Sequence, residues 1–316
     1  MAGKKVQRKL SSAAVELLNN KPMLKTERPI LGLDIGGTNI KAGVLVGSEL
    51  VDIRMIETPS QESQEYILET IADLIGTYLH HDFFAIGVGI PGLIDTDLGI
   101  VLNLENIPSF KRVHLREFLE LRFGKPVYIN NDANCFALGE YKFGAAKIYK
   151  HVVGITLGTG LGAGIIANGH LYCGFNCAAG EWCSAPYLDQ DFEFYCSSKF
   201  FYAKYHAKAK SLSKRAKDGD KEALRAYAEY GHHLGELIKN ILYTLAPQAI
   251  VLGGSIRKAY PFFRESMLAN IATFKYPSVS ANLKILISEL DETGIHGAVA
   301  LVDEYAVPAE PVEKSI

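Results

Sequence analysis

Three glycine-rich turns interrupt an otherwise apolar, strand-forming sequence: Gly36-Gly37, Gly158-Gly160-Gly162 and Gly253-Gly254. Such a turn lets backbone N–H groups converge on an anion, because no Cβ blocks the approach and positive φ is allowed. The chemistry this suits is the holding of phosphate. One glycine pair alone reads first as an ordinary hairpin, but three at strand ends are harder to read that way. Spacing excludes the two commonest phosphate loops. The sequence has no Gly-x4-Gly-Lys-Ser/Thr, and Gly158, Gly160, Gly162 and Gly164 run into a strand at the wrong interval for a dinucleotide fingerprint. Carboxylates stand near two of the strand ends. Asp34 closes the first strand, and Asp132 opens a helical segment, where an acidic residue either caps the helix or is held ionised by its N-terminus.

The elements that must position these residues follow a repeated order. ILGLDI, NIKAGVLVG and ELVDIRMIE read as an antiparallel meander, and residues 65–80 show helical spacing before the buried run FAIGVGI. HLREFLELRFG is a helix ended by glycine, PVYIN a short strand, and DANCFALGEYKFG a helix with a glycine stop. This βββαβα order then starts again at HVVGITLGTGLGAGIIANGHLY, which predicts two duplicated halves facing each other. Residues 176–200 read as irregular and aromatic-rich, 220–245 as the longest amphipathic helix, AIVLGGS and LKILISE as strands, and GIHGAVALVDEYA as a last helix. The predicted organisation is a basic arm at 1–28, with helical spacing from Ser11 to Asn19, and a small α/β domain at 29–130. A larger α/β domain follows at 131–293, then a helix at 294–306 that packs back on the first domain, and a frayed tail at 307–316.

Composition narrows the partners. The 316 residues suit two domains at roughly 100–200 residues each, and 48% hydrophobic content supports a sizeable core. Lys and Arg number 33 against 35 Asp and Glu, so no broad cationic field exists for nucleic acid. The arm carries seven Lys/Arg and two Glu, but 28 residues are too few for a helix-turn-helix unit with its own core. No apolar run reaches 18 residues and the N-terminus lacks a secretory pattern, so the expectation is a cytoplasmic protein that meets no membrane. Five cysteines without an export signal argue for thiols rather than disulfides.

The Asp34-Ile-Gly-Gly-Thr hairpin, its counterpart in the second half and the late Gly-Gly together resemble the actin-like (ribonuclease H-like) ATPase fold, in which two hairpins grip phosphates from opposite domains. Three further pieces sharpen this: Gly89-Ile90-Pro91-Gly92, Asn131-Asp132-Ala133-Asn134 and Ala179-Gly180-Glu181. In that order they resemble the ROK family (repressor, open reading frame, kinase) across residues 30 to about 305. The resemblance implies an ATP-dependent hexose kinase, acting on the 6-hydroxyl of glucose or an N-acetylhexosamine, whose domains close over the sugar. It implies Asp132 as catalytic base, with Asn106, Asn131, Glu181, Gly92 and Ser184 around the sugar. Gly36, Gly37, Thr38, Lys41, Thr159 and Gly160 would meet the ATP phosphates, Gly253 and Gly254 the adenosine, and Asp34 would hold Mg²⁺ through water. Read without the resemblance, Asp132 is a helix cap, Asn106 and Glu181 are turn residues, and Lys41 lies on a solvated strand face. The family often forms homodimers.

One departure stands out. Many members continue Glu-x-Gly-His into a cysteine cluster that binds structural zinc, whereas here Glu181 is followed by Trp182-Cys183-Ser184 and only Cys196 lies downstream. The loss of His and cluster together predicts a zinc-free variant, and Ser184 leaves more room near the sugar. Cys173, Cys177, Cys183 and Cys196 lack the close Cys-x2-Cys pair usual in structural zinc sites, so buried thiols are expected and a substituted metal site is the alternative. The competing function is a sugar-sensing regulator of the same family without kinase activity. An actin-like assembly or chaperone ATPase would need more chain.

Overall fold

The computed structural model describes Leu24, residues 27–104 and residues 106–306; the basic arm, including the helical spacing at Ser11–Asn19, and the tail at 307–316 fall outside the described residues apart from Leu24, Glu27 and Arg28. The first half runs β1 (Ile30–Ile35), β2 (Asn39–Val46), β3 (Glu49–Glu57), α1 (Gln64–Gly76), β4 (Ala85–Ile90), a small sheet of β5 (Leu93–Asp95), β6 (Ile100–Asn103) and β7 (Lys111–Val113), then α2 (Leu115–Phe123), β8 (Val127–Asn131) and α3 (Asp132–Lys142). The second half runs β9 (Val152–Leu157), β10 (Leu161–Ala167), β11 (His170–Tyr172), β12 (Pro186–Tyr187), β13 (Gln190–Asp191), α4 (Phe192–Cys196), α5 (Ser198–Tyr205), α6 (Ala209–Lys217), α7 (Lys221–Thr244), β14 (Ala249–Gly253), α8 (Tyr260–Ile271), α9 (Pro277–Ser280), β15 (Lys284–Ile287) and α10 (Thr293–Tyr305).

The duplication is literal. One five-stranded sheet has the order β3-β2-β1-β4-β8 and the other β11-β10-β9-β14-β15, each an antiparallel meander extended by two parallel strands. The inner strands read as near-continuous apolar runs because they are covered on both faces. Ile30, Leu31, Leu33 and Ile35 of β1 are fully buried.

Glycines set where the covering helices lie. Gly32 and Gly87 stand side by side on β1 and β4, and a Cβ at Gly87 would come within 1.8 Å of the Ala298 carbonyl oxygen, so α10 rests directly on this sheet. Its Ile295 and Val299 are fully buried there, each worth about 1.5–3 kcal/mol. On the second sheet, Gly154 and Gly164 pair in register and receive α3 at Ala137 and Ala133. The two helices then cross each other. A Cβ at Gly297 would sit 1.8 Å from the Cys135 carbonyl oxygen, and one at Gly139 would sit 2.7 Å from that of Thr293. The chain thus interlocks its halves through α3 and α10.

Several expectations need correction. The stretch 176–200 holds α4 and the start of α5, because Asp191 and Ser197 cap helices there by accepting backbone N–H bonds. Helix α3 has no glycine stop in the left-handed region; its cap is Phe143 at φ −118°, and Gly144 follows because a Cβ would meet the Glu140 carboxylate at 2.2 Å. The small sheet β5-β6-β7 and helix α8 carried no strong periodic signal. Among the described residues, no helix is long and apolar enough to cross a membrane.

Candidate active site

The site forms at the carboxyl ends of the parallel strands of the first sheet, where an open α/β sheet exposes strand ends to ligand. Asp34, Gly89 and Asn130 lie in one register row across β1, β4 and β8. Two residues past that row, α3 begins. Its N-cap is Asn131, whose side-chain oxygen accepts from Ala133 N at 2.8 Å and Asn134 N at 3.3 Å. The Asn131 amide nitrogen donates to the Gly92 carbonyl at 3.1 Å. Gly92 itself has φ +87°, and a Cβ there would lie 2.2 Å from the Asn103 carbonyl oxygen, so the GIPG turn can keep this shape only with glycine.

With Asn131 as cap, Asp132 occupies the first helical position and accepts from Ala133 N at 2.9 Å. Burial lifts its carboxyl above the ordinary range and the nearby Glu181 charge lifts it further, against the pull of the Ala133 N–H. Asp34 behaves alike. It is pushed up to about 6, first by burial and then by the charge of Asp132, with Lys41 opposing and Glu292 adding to the rise. Lys41 is the cross-strand partner of Asp34 and forms a 2.7 Å ion pair with Glu292, just ahead of α10. Gly294 lets α10 approach: a Cβ there would stand 2.3 Å from Asp34 Oδ2. Asp34, Asp132 and Glu292 therefore share one wall with Lys41 as the counter-charge.

The remaining residues group around this wall. Asn106 packs on the first glycine turn, since a Cβ at Gly37 would lie 2.6 Å from Asn106 Cβ, and Thr38 is exposed at the same hairpin beside Gly36. Glu181 is exposed and accepts from Cys183 Sγ at 3.0 Å, with Ser184 following; the preceding Gly180 has φ +94° against the Ala163 carbonyl. The second glycine turn closes through Gly158 N donating to the Gly160 carbonyl at 3.0 Å and leaves Thr159 exposed at its tip. Its own neighbours are Glu193, which accepts from Leu161 N at 3.1 Å beneath Gly160, and Ser198. It joins the carboxylate wall through β10, where Gly162 and Gly164 pack on Ala133 of α3. Gly253 abuts Phe136 of α3, and Gly254, at φ +74°, abuts the Leu157 backbone ahead of that turn.

Sequence reasoning passed over Asn130, Glu193 and Glu292. Asn130 had a signal, as a polar residue at the end of a buried strand; Glu292 had none, since its partner Lys41 is 251 positions away. The four clustered cysteines divide. Cys196 is buried in the core of the second half, Cys183 bonds Glu181, and Cys173 and Cys177 both contact Asn130. Among the described residues, the one three-ligand group of His, Cys, Asp or Glu is Asp52, His80 and His81, away from this wall, where Arg54 already bonds both Asp52 oxygens at 2.9 Å.

The sequence profile of the ROK family matches residues 30–305. A glucokinase from Thermotoga maritima is 27% identical, with 87% of this chain and 97% of that protein covered. The xylose repressor of Bacillus subtilis is 30% identical, with 83% of this chain and 73% of the repressor covered. Among solved structures, a ROK family glucokinase from Streptomyces griseus in complex with glucose and AMPPNP superposes with a TM-score of 0.74 at 26% identity, covering 86% of this chain and 98% of that one.

Proposed function

Because the chain belongs to the ROK family, we propose that it is a sugar kinase of that family which transfers the γ-phosphoryl group of ATP to the 6-hydroxyl of a hexose, glucose or an N-acetylhexosamine. The observation that carries this reading is Asp132 at the first position of α3, freed from capping by Asn131 and faced by Asp34 and Glu181. Asp132 takes the hydroxyl proton as the sugar oxygen attacks the γ-phosphorus; the bond to the β-γ bridging oxygen breaks, ADP leaves, and the proton passes from Asp132 to solvent. A carboxyl lifted above its usual range is a stronger base for that transfer. Asn131, Asn106 and Glu181 orient the sugar through its other hydroxyls, and Ser184, standing where many members carry the zinc-binding His, supports a zinc-free pocket. The two glycine turns and Thr38 and Thr159 receive the phosphates. Gly253 and Gly254 sit under the adenosine.

The carboxylate wall fits a hard divalent cation, since Asp34 and Asp132 are mutually repelling oxygen donors with a shortage of counter-charge. Asp34 would hold Mg²⁺ there through water, and the cation would neutralise charge on the phosphates. A pH dependence follows. Asp34 is raised to about 6, so below that value a proton competes with the cation. Apparent Mg²⁺ affinity, measured from the metal dependence of turnover, is expected to fall about 10-fold per pH unit below pH 6 and to level off above 7. A flat profile from pH 5 to 7.5 would remove Asp34 from cation binding.

The reading is tested by ADP release from ATP across glucose, N-acetylglucosamine, N-acetylmannosamine, mannose and xylose. One hexose is expected to raise release about 10-fold or more over the sugar-free rate, and metal analysis of the same protein to find zinc well below one equivalent. The 30% identity to the xylose repressor favours a second reading, a sugar-sensing regulator. Sugar binding by calorimetry with no ADP release from any hexose would select it.

A further inference from the structure

We propose that Cys173 and Cys177 form a reversible oxidation site, in which a hydroperoxide joins the two sulfurs as a disulfide and so loosens the amide that holds the sugar-binding end of α3. The chemistry stands apart from the kinase reading; only its consequence for sugar rests on it.

Both sulfurs converge on one side chain. Asn130 is fully buried, and its Oδ1 accepts from Cys177 Sγ at 3.3 Å and lies 3.7 Å from Cys173 Sγ. Its Nδ2 lies 3.3 Å from Cys173 Sγ and 3.1 Å from the Tyr305 hydroxyl oxygen, which is itself 3.6 Å from Cys173 Sγ. Two thiols bracketing a single amide are close enough to meet after a small loop movement. The loop is tightly wound for such a movement: Ala179 N donates to the Cys173 carbonyl at 2.9 Å, and Asn176 and Cys177 both hold positive φ, at 53° and 60°. Non-glycine residues in that region carry strain, which a rearranged loop can release.

The two thiols differ in the way the reaction needs. Cys173 is partly exposed, whereas Cys177 is 2% exposed. When Cys173 ionises, the single Cys177 proton turns from the Asn130 oxygen to the Cys173 sulfur, and this bond, helped by Asn130 and Tyr305 against burial, holds the Cys173 thiol below its ordinary range; giving it, with burial, raises Cys177. The Cys173 thiolate attacks one oxygen of hydrogen peroxide, the O–O bond breaks, and hydroxide leaves to take up a proton, giving a sulfenic acid. Cys177 then gives up its proton and attacks the Cys173 sulfur. The S–S bond forms and hydroxide leaves with that proton as the second water. Two thiols are oxidised by two electrons and one peroxide is reduced.

The consequence runs through Asn130. Its Oδ1 also accepts from Asn131 N at 2.8 Å and from Asn134 Nδ2 at 2.9 Å, so one amide fixes the residue just before Asp132 and another two positions after it. A disulfide can donate no hydrogen bond, and drawing the sulfurs to about 2.05 Å shifts the loop that leads to Gly180 and Glu181. Small displacements of positioning groups have large kinetic effects.

The test uses the full chain with hydrogen peroxide, followed by alkylation of remaining thiols and peptide mass analysis. The peptide holding both cysteines is expected to lose about 2 Da, reversibly with dithiothreitol, while KM for the sugar rises about 10-fold or more and recovers on reduction. Cys177→Ser should keep basal KM within about twofold, because a serine hydroxyl can still donate to Asn130, and should instead yield a dimedone-trapped sulfenic acid at Cys173. Full alkylation of both cysteines after peroxide would overturn the site. A disulfide that leaves KM unchanged would overturn its coupling to sugar. Should the reduced protein phosphorylate no sugar, the kinase reading fails by itself; the mass change still decides the oxidation, and calorimetric sugar binding, reduced against oxidised, decides the coupling.

Discussion

Asp132→Asn is expected to lower sugar-dependent ADP release by about 10²-fold or more, with little change in KM for the sugar. The substitution keeps volume, the first position of α3 and an oxygen that can accept from Ala133 N, so it removes the base and little else. A second readout separates this from misfolding. In the folded protein the Asp132 carboxyl is raised by burial and by Glu181, so its ionised form opposes folding. That contribution to stability is favourable below the unfolded carboxyl range near pH 4 and is lost as pH rises through the folded value. The Asn variant is therefore expected to melt at or above the parent temperature at pH 7, with the difference fading toward pH 4. Unchanged turnover would take Asp132 out of the mechanism. Lost turnover with a lowered melting temperature at pH 7 would mark it as structural.

The second large effect is on the helix crossing. Gly297→Ala is expected to destabilise the protein by about 3 kcal/mol, read as a lower urea midpoint at unchanged slope. Ordinary helix propensity predicts the opposite sign, since alanine is favoured over glycine inside a helix. Packing decides it: the added Cβ would stand 1.8 Å from the carbonyl oxygen and 2.3 Å from the carbonyl carbon of Cys135, backbone of α3 that has no rotamer to change. If α3 yields, Asp132 at its start moves, so residual turnover should fall as well. Gly76→Ala is the control. Its Cβ would meet nothing within 4 Å at the end of α1, and the change there should be neutral or slightly stabilising.

Much of this was legible in the chain order. Alternation and glycine punctuation gave the strands of the two five-stranded sheets, and the repeated strand-turn-strand phrase at Asp34 and Gly158 announced the duplication that their matching orders display. Motif order likewise pointed to the ROK family before any geometry. The helices α4 and α5 were missed because their apolar residues, such as Phe200 and Phe201, are packed on several sides and leave no clean periodic stripe.

Local pattern fixes what a segment does with its own neighbours: strand or helix, turn, cap, apolar face. It carries no record of which segments meet. That Asn131 rather than Asp132 caps α3, that Lys41 is tied to Glu292, that glycines at 139 and 297 allow two helices to touch, and that two thiols share the Asn130 amide are each settled between residues far apart in sequence or by competition among adjacent ones. Charge and burial act through space, so the raised carboxyls of Asp34 and Asp132 exist only once the fold sets them facing across the strand ends.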